Sequence, residues 1–178
     1  IIANDVAYTA GVPTDPSTVF YTSGNPADLN STLVALADNE PVNQDEGTIT
    51  GLFKLTDVIV GVGKTNGIFS LNTVSTPSEI KRITEDKYEA HRAGARVEND
   101  YLFLGDNGVF SLAQREGTTA SFRSWPYTRD IQKIMDQVVS KDTANMFYWA
   151  ATNNVYVSVN QGGGTVNDTL LVYSVLAS

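Results

Sequence analysis

A six-residue element occurs twice in this chain and restricts it to folds that tolerate repetition. Asn66-Gly67-Ile68-Phe69-Ser70-Leu71 returns as Asn107-Gly108-Val109-Phe110-Ser111-Leu112, 41 residues later, with a single Ile/Val exchange. Each copy follows an apolar run, Asp57-Val58-Ile59-Val60 in the first and Tyr101-Leu102-Phe103-Leu104 in the second. Two β-rich runs around an Asn-Gly pair, which tolerates positive φ, predict a β-hairpin. A weaker copy is Met146-Phe147-Tyr148-Trp149 followed by Asn153-Asn154-Val155-Tyr156-Val157-Ser158-Val159. A fainter one joins Val6-Ala7-Tyr8-Thr9 to Val19-Phe20-Tyr21-Thr22-Ser23 through a longer loop containing Pro13 and Pro16.

Aligned on the aromatic residue of the second strand, Phe20, Phe69, Phe110 and Tyr156 fall at intervals of 49, 41 and 46. That is the size of one propeller blade, and further strand candidates at 48–54, 79–84, 118–122 and 169–175 bring each period to about four strands. A small twisted sheet cannot bury both faces alone, so each blade packs on the next and closure hides the edges. The predicted fold is therefore all-β: a single β-propeller-like domain over 1–178, with about four blades or forming part of a larger propeller. Short strands at regular spacing also suit a β-sandwich, which stays open as the alternative. One segment departs from the pattern. Over 129–140, Ile131, Ile134, Met135, Val138 and Val139 recur at helical spacing, with Thr128 as N-cap and Asp130 near the positive end of the dipole. An amphipathic helix is expected there, covering a blade edge or docking a neighbouring subunit.

Composition agrees. Hydrophobic residues make up 42% and charged residues only 18%, enough to bury a core, and the polar remainder is rich in residues that favour strands and tight turns. There is no Cys and one histidine, His91, so disulfides, thiolate chemistry and the usual zinc ligand sets are out of reach. No apolar run approaches the roughly 18 residues of a membrane helix. The start, Ile1-Ile2-Ala3-Asn4-Asp5, has neither a basic region nor an initiator Met, which suggests an excerpted or processed chain without a visible signal peptide. The net charge of −8 is unevenly placed: residues 1–50 hold Asp5, Asp15, Asp28, Asp38, Glu40, Asp45 and Glu46 and no Lys or Arg. An acidic surface repels phosphate, so sequence-specific nucleic-acid binding is not expected. The stretch reads as a solvated surface, or more sharply as a wall that DNA passes without sticking.

Several segments imitate catalytic motifs. Gly61-Val62-Gly63-Lys64-Thr65 looks like the end of a P-loop, but the first Gly of that signature is replaced by Val58, and a strand rather than a helix is expected to follow. Gly63-Lys64-Thr65-Asn66-Gly67 is read as a hairpin loop. Gly162-Gly163-Gly164 is read as a mobile connector, and His91 as a surface or structural histidine. Asn30-Ser31-Thr32 and Asn167-Asp168-Thr169 fit the glycosylation pattern and are discounted without a secretory signal. A propeller glycosidase needs two carboxylates at a set separation. Asp57 and Asp100 open strands and Asp106 sits in a turn, so no catalytic, cofactor-binding or metal-ligating residue is assigned and the chain is read as no enzyme.

The succession of elements resembles the β-propeller proteins of tailed bacteriophages, the packaged-DNA stabilisation and tail hub or nozzle proteins. Val19-Phe20-Tyr21-Thr22-Ser23-Gly24-Asn25-Pro26-Ala27-Asp28 looks like their first strand end. Ile49-Thr50-Gly51-Leu52-Phe53, Asp57-Val58-Ile59-Val60 and Gly67-Ile68-Phe69-Ser70-Leu71 are similar to the next strands. The run from Ala93 to Leu104 and then Asp106 to Leu112 resembles a further blade, followed by the helix from Arg129, and Leu170-Leu171-Val172-Tyr173 resembles the closing strand. The resemblance implies a structural virion protein of the neck or tail. It would assemble as a homo-oligomeric ring with other neck and tail proteins, lining the channel through which genomic DNA passes during ejection, with no cofactor and no membrane contact. The alternative is a glycan-binding adhesin using exposed aromatics. Of the two tryptophans, Trp149 sits in an apolar run and is read as core, which leaves Trp125, beside Pro126 and Tyr127, as the platform.

Overall fold

The structure is a computed structural model that describes residues 2–3, 6–12, 15–21, 38–41, 47–72, 79–98, 100–114, 122–126 and 132–175. It is all-β, built from four sheets of antiparallel strands among the described residues. The chain divides into two compact units, 1–87 and 88–178.

In the first unit, β1 (Ile2–Ala3), β2 (Val6–Val12), β3 (Asp15–Tyr21) and β4 (Asp38–Pro41) form one sheet in chain order. The strands β5 (Ile49–Lys54), β6 (Ile59–Lys64), β7 (Gly67–Asn72) and β8 (Glu79–Thr84) form a second. Tyr8 and Val19 of the first sheet share a core with Val60, Val62, Phe69 and Leu71 of the second. The Ser17 hydroxyl ties the two by donating to the Gly47 carbonyl at 2.9 Å. Every residue of β6 is buried, as a strand covered on both faces requires. Gly61 lies opposite Phe53, whose ring covers it so closely that a Cβ would overlap the ring.

Two expectations change here. The loop of the first repeated hairpin is only Thr65 and Asn66, because β6 runs on through Gly63 and Lys64 and pairs Lys64 with Gly67. Lys64 is fully buried, its Nζ 5.7 Å from the centroid of the Phe69 ring. Gly67, at φ 155°, has no room for a side chain, since a Cβ would meet the Thr84 carbonyl oxygen at 2.7 Å. Pro16, expected in a loop, lies within β3. It falls where the β2–β3 register is irregular, between the Val12–Asp15 and Ala10–Val19 pairs, so the missing amide hydrogen costs no regular ladder bond.

In the second unit, β9 (Gly94–Val97), β10 (Asp100–Gly105), β11 (Gly108–Gln114) and β12 (Phe122–Pro126) form the third sheet. After a single helical turn, α1 (Gln132–Met135), the strands β13 (Ser140–Trp149), β14 (Asn154–Asn160) and β15 (Thr169–Ser174) form the fourth. Leu102, Leu104 and Val109 of the third sheet pack against Met146, Val155 and Val157 of the fourth, with Met135 in the same core. The other face of the third sheet is buried too. Phe103 stacks on Phe110 at 5.5 Å and on Tyr88 at 6.1 Å. The Tyr88 and Tyr101 hydroxyls bond to each other at 3.0 Å over Gly94, where a Cβ would overlap them.

The two repeated hairpins share one register. Gly105–Gly108, Leu104–Val109, Phe103–Phe110 and Tyr101–Leu112 repeat the pairs Lys64–Gly67, Gly63–Ile68, Val62–Phe69 and Val60–Leu71. Within its unit each sheet uses a different face. The second sheet turns Val60, Val62, Phe69 and Leu71 toward the sheet before it, and the third turns the opposite set toward the sheet after it.

The expected helix over 129–140 is much shorter. Residues 129–131 lie outside the described residues, α1 ends at Met135, and Gln137 and Val138 close tighter bonds to Ile134 and Met135. Val139 then donates to the Asn160 carbonyl at 2.9 Å and Ser140 pairs with Asn160, so sheet pairing overrides the helical stripe. The strand expected at 118–122 is found as Phe122–Pro126, with 118–121 outside the described residues. Short β1, β4 and β9 were not anticipated.

Candidate interaction face

The described residue set contains one open apolar surface built on regular structure, the outer face of the fourth sheet. Its phase is set at the turn between β13 and β14. There Asn153 adopts φ 53°, a left-handed conformation that Asn tolerates better than most residues. Its side chain accepts a bond from the Tyr148 hydroxyl at 2.7 Å and donates to the Val175 carbonyl, while its own carbonyl accepts from the Val175 amide at 2.9 Å. With the turn fixed, side chains alternate across the sheet. Val155, Val157 and Val159 enter the core, and Tyr156 points outward.

Cross-strand pairing completes the outer face. Phe147, Tyr156 and Val172 form one row; Trp149, Asn154 and Ser174 lie on one side of it, Asn145, Ser158 and Leu170 on the other. Phe147 is 52% exposed, Trp149 54%, Leu170 56% and Val172 53%. Phe147 and Tyr156 stack at 4.9 Å with planes 6° apart, and Trp149 leans on Tyr156 at 6.2 Å. The aromatics brace one another, so the surface is ordered before anything binds. On the inner face Tyr173 donates to the Met135 sulfur at 3.7 Å, and burial pushes its hydroxyl pKa up to about 12.

The loop beside this face is tied down. Gln161 and Gly162 amides donate to the Asp168 carboxylate at 2.9 and 2.6 Å, and the Gly163 amide donates to Asn160 Oδ1 at 2.9 Å. The Gln161 amide bond, above all, holds the Asp168 carboxyl below its ordinary pKa. Gly162-Gly163-Gly164, read from sequence as a mobile connector, is thus a hydrogen-bonded loop. Asn167 exchanges bonds with Thr143, 2.9 Å to its Oδ1 and 2.8 Å from its Nδ2, so the amide of this glycosylation-like triplet is engaged. Asn30 lies outside the described residues.

Of the carboxylates weighed for catalysis, the two in the second unit do not converge. Asp100 and Asp106 stand at opposite ends of β10, about 20 Å apart by strand rise, where glycosidase pairs need about 5–10 Å. Asp100 accepts from the Ser111 hydroxyl at 3.0 Å, and exposed Asp57 pairs with Lys54 at 2.6 Å in the bend before β6. The segment around Gly63 runs strand, turn, strand, so no helix N-terminus receives a phosphate there. Among the described residues no group of three His, Asp or Glu could hold a metal. His91 is exposed in the turn before β9. The acidic side chains of residues 1–46 and the Trp125 side chain lie outside what is described.

Trp149 is a correction: it is half exposed, not core. The aromatic Tyr156, aligned by sequence with buried Phe69 and Phe110, faces out as well. Sequence reasoning missed this face, although a signal was present. Val155, Val157 and Val159 mark the inner side of β14, and everything paired with Tyr156 must lie on the other. The sequence matches no family model and no curated protein.

Proposed function

We propose that the chain is a structural virion protein of a tailed-phage neck or tail, of the hub or nozzle type, whose work is assembly and not turnover. In this reading the four sheets are propeller blades, copies assemble as a ring with other tail proteins, and DNA passes along an acidic lumen without specific binding. The observation that carries it is the run of consecutive antiparallel sheets in which a hairpin recurs 41 residues on in identical register. Repetition of one hairpin in successive sheets suits a ring-building part, and the separated Asp100 and Asp106 speak against hydrolysis. The test is antibody labelling of purified particles together with imaging of the isolated chain. Label at the neck or tail and class averages with rotational symmetry are expected; unlabelled particles would remove the reading.

A second reading, a glycan-binding receptor domain, gains from the exposure of Trp149, since flat aromatics stack on sugar rings. A glycan array decides it: binding that Trp149→Ala abolishes would favour it over the structural role.

A further inference from the structure

We propose that two copies of this chain pair face to face through the outer surface of β13–β15. Three observations converge on a second copy as the occupant. The first is charge. None of the nine outward positions, Asn145 to Trp149 on β13, Asn154 to Ser158 on β14 and Leu170 to Ser174 on β15 in alternation, carries a charge. Two such uncharged faces therefore meet without Coulomb repulsion between them.

The second is area. Phe147, Trp149, Leu170 and Val172, each a little over half exposed, leave about 400 Å² of apolar side chain open when a whole aromatic counts for about 150–250 Å². That falls in the range of about 300–600 Å² for the largest patch on a monomer, often a functional one. Two such faces with their Asn and Ser borders bury about 1,000–1,200 Å², the lower end of specific interfaces, which suits a reversible pair of micromolar affinity. The third is preparation. The stacked Phe147 and Tyr156 rings need no reordering to dock, which lowers the cost of association.

A surface that meets its own copy makes a closed two-fold pair, whereas a ring requires a different, head-to-tail contact. The pair therefore goes beyond the ring proposed above and can fail while the ring stands. The test is sedimentation velocity of the full chain across a concentration series, for the native sequence, Trp149→Arg and Leu170→Asn, with circular dichroism as the folding control. Both residues are more than half exposed, so both variants are expected to fold, which the circular dichroism checks. A reversible dimer is expected, with its dissociation constant raised at least tenfold by Trp149→Arg and by a smaller factor by Leu170→Asn. A monomer at every concentration overturns the proposal, as does a dimer indifferent to both substitutions. A monomer whose tryptophan emission shifts with added oligosaccharide in the native sequence but not in Trp149→Arg overturns it in favour of glycan binding.

Discussion

The third and fourth sheets sit in the same unit, share one core and carry aromatic residues at matching places in their hairpins, yet they dispose of them in opposite ways. Phe103 and Phe110 are buried on the face turned away from the shared core, whereas Phe147 and Trp149 stand open to solvent on theirs, with Tyr156 half-buried between them. Both faces are apolar by composition. What separates them is what lies over each, so aromatic content does not by itself mark a core. An ordered apolar face left open is costly in water unless something covers it in the assembled state.

The contrast can be broken most forcefully from the buried side. Phe103→Ala removes a fully buried ring from between Tyr88 and Phe110 and is expected to lower unfolding free energy by about 3–5 kcal/mol in urea titrations. An effect as small as that of an exposed residue would mean the face is not packed. Next comes pH. Burial raises the Tyr88 pKa to about 12, above its unfolded value near 10, and raises that of Tyr101 as well. A raised folded pKa favours the protonated form, so this contribution is intact below pH 10 and is lost as pH climbs toward 12. The Tyr88 share is about 2–3 kcal/mol. Tyr88→Phe should flatten that alkaline slope, and an unchanged slope would remove the buried pair as its source.

Gly94→Ala probes the same place sterically. A methyl there overlaps the paired hydroxyls, and a loss of about 1–3 kcal/mol is expected, read as a lower denaturant midpoint. On the other sheet, Asn153→Ala forces an ordinary residue into the left-handed region and removes the bonds to Tyr148 and Val175; about 1–2 kcal/mol should be lost, with Gly recovering part of it. The smallest effect is Trp149→Ala, about 1 kcal/mol or less in a dilute monomer. A loss comparable to Phe103→Ala would make Trp149 a core residue after all.

Turn chemistry and strand runs were legible in the sequence because they are local. The Asn-Gly pairs located both repeated hairpins, and β5, β8 and β15 fell close to where alternation placed them. Phase was not legible. Trp149 sits in an apolar run whichever side it faces, and only the Asn153 turn and the pairing with β14 settle which. The stripe from Ile131 to Val139 satisfied a helical period, but Val139 and Ser140 gained more from Asn160 in the neighbouring strand. Pro16 and Lys64 misled for a related reason: a bulge excuses the proline, and a buried strand end with an aromatic neighbour accommodates the ammonium stem. The open face itself depends on three strands meeting in one register, which no single segment announces.

The most direct measurement is quenching of Trp149 fluorescence by acrylamide in the Trp125→Phe variant, which leaves Trp149 as its single tryptophan, followed from dilute to concentrated protein. An open face that pairs with its own copy predicts ready quenching when dilute and progressive protection as concentration rises. Protection already complete at the lowest concentration would mean that the face is buried within the chain and would contradict the account.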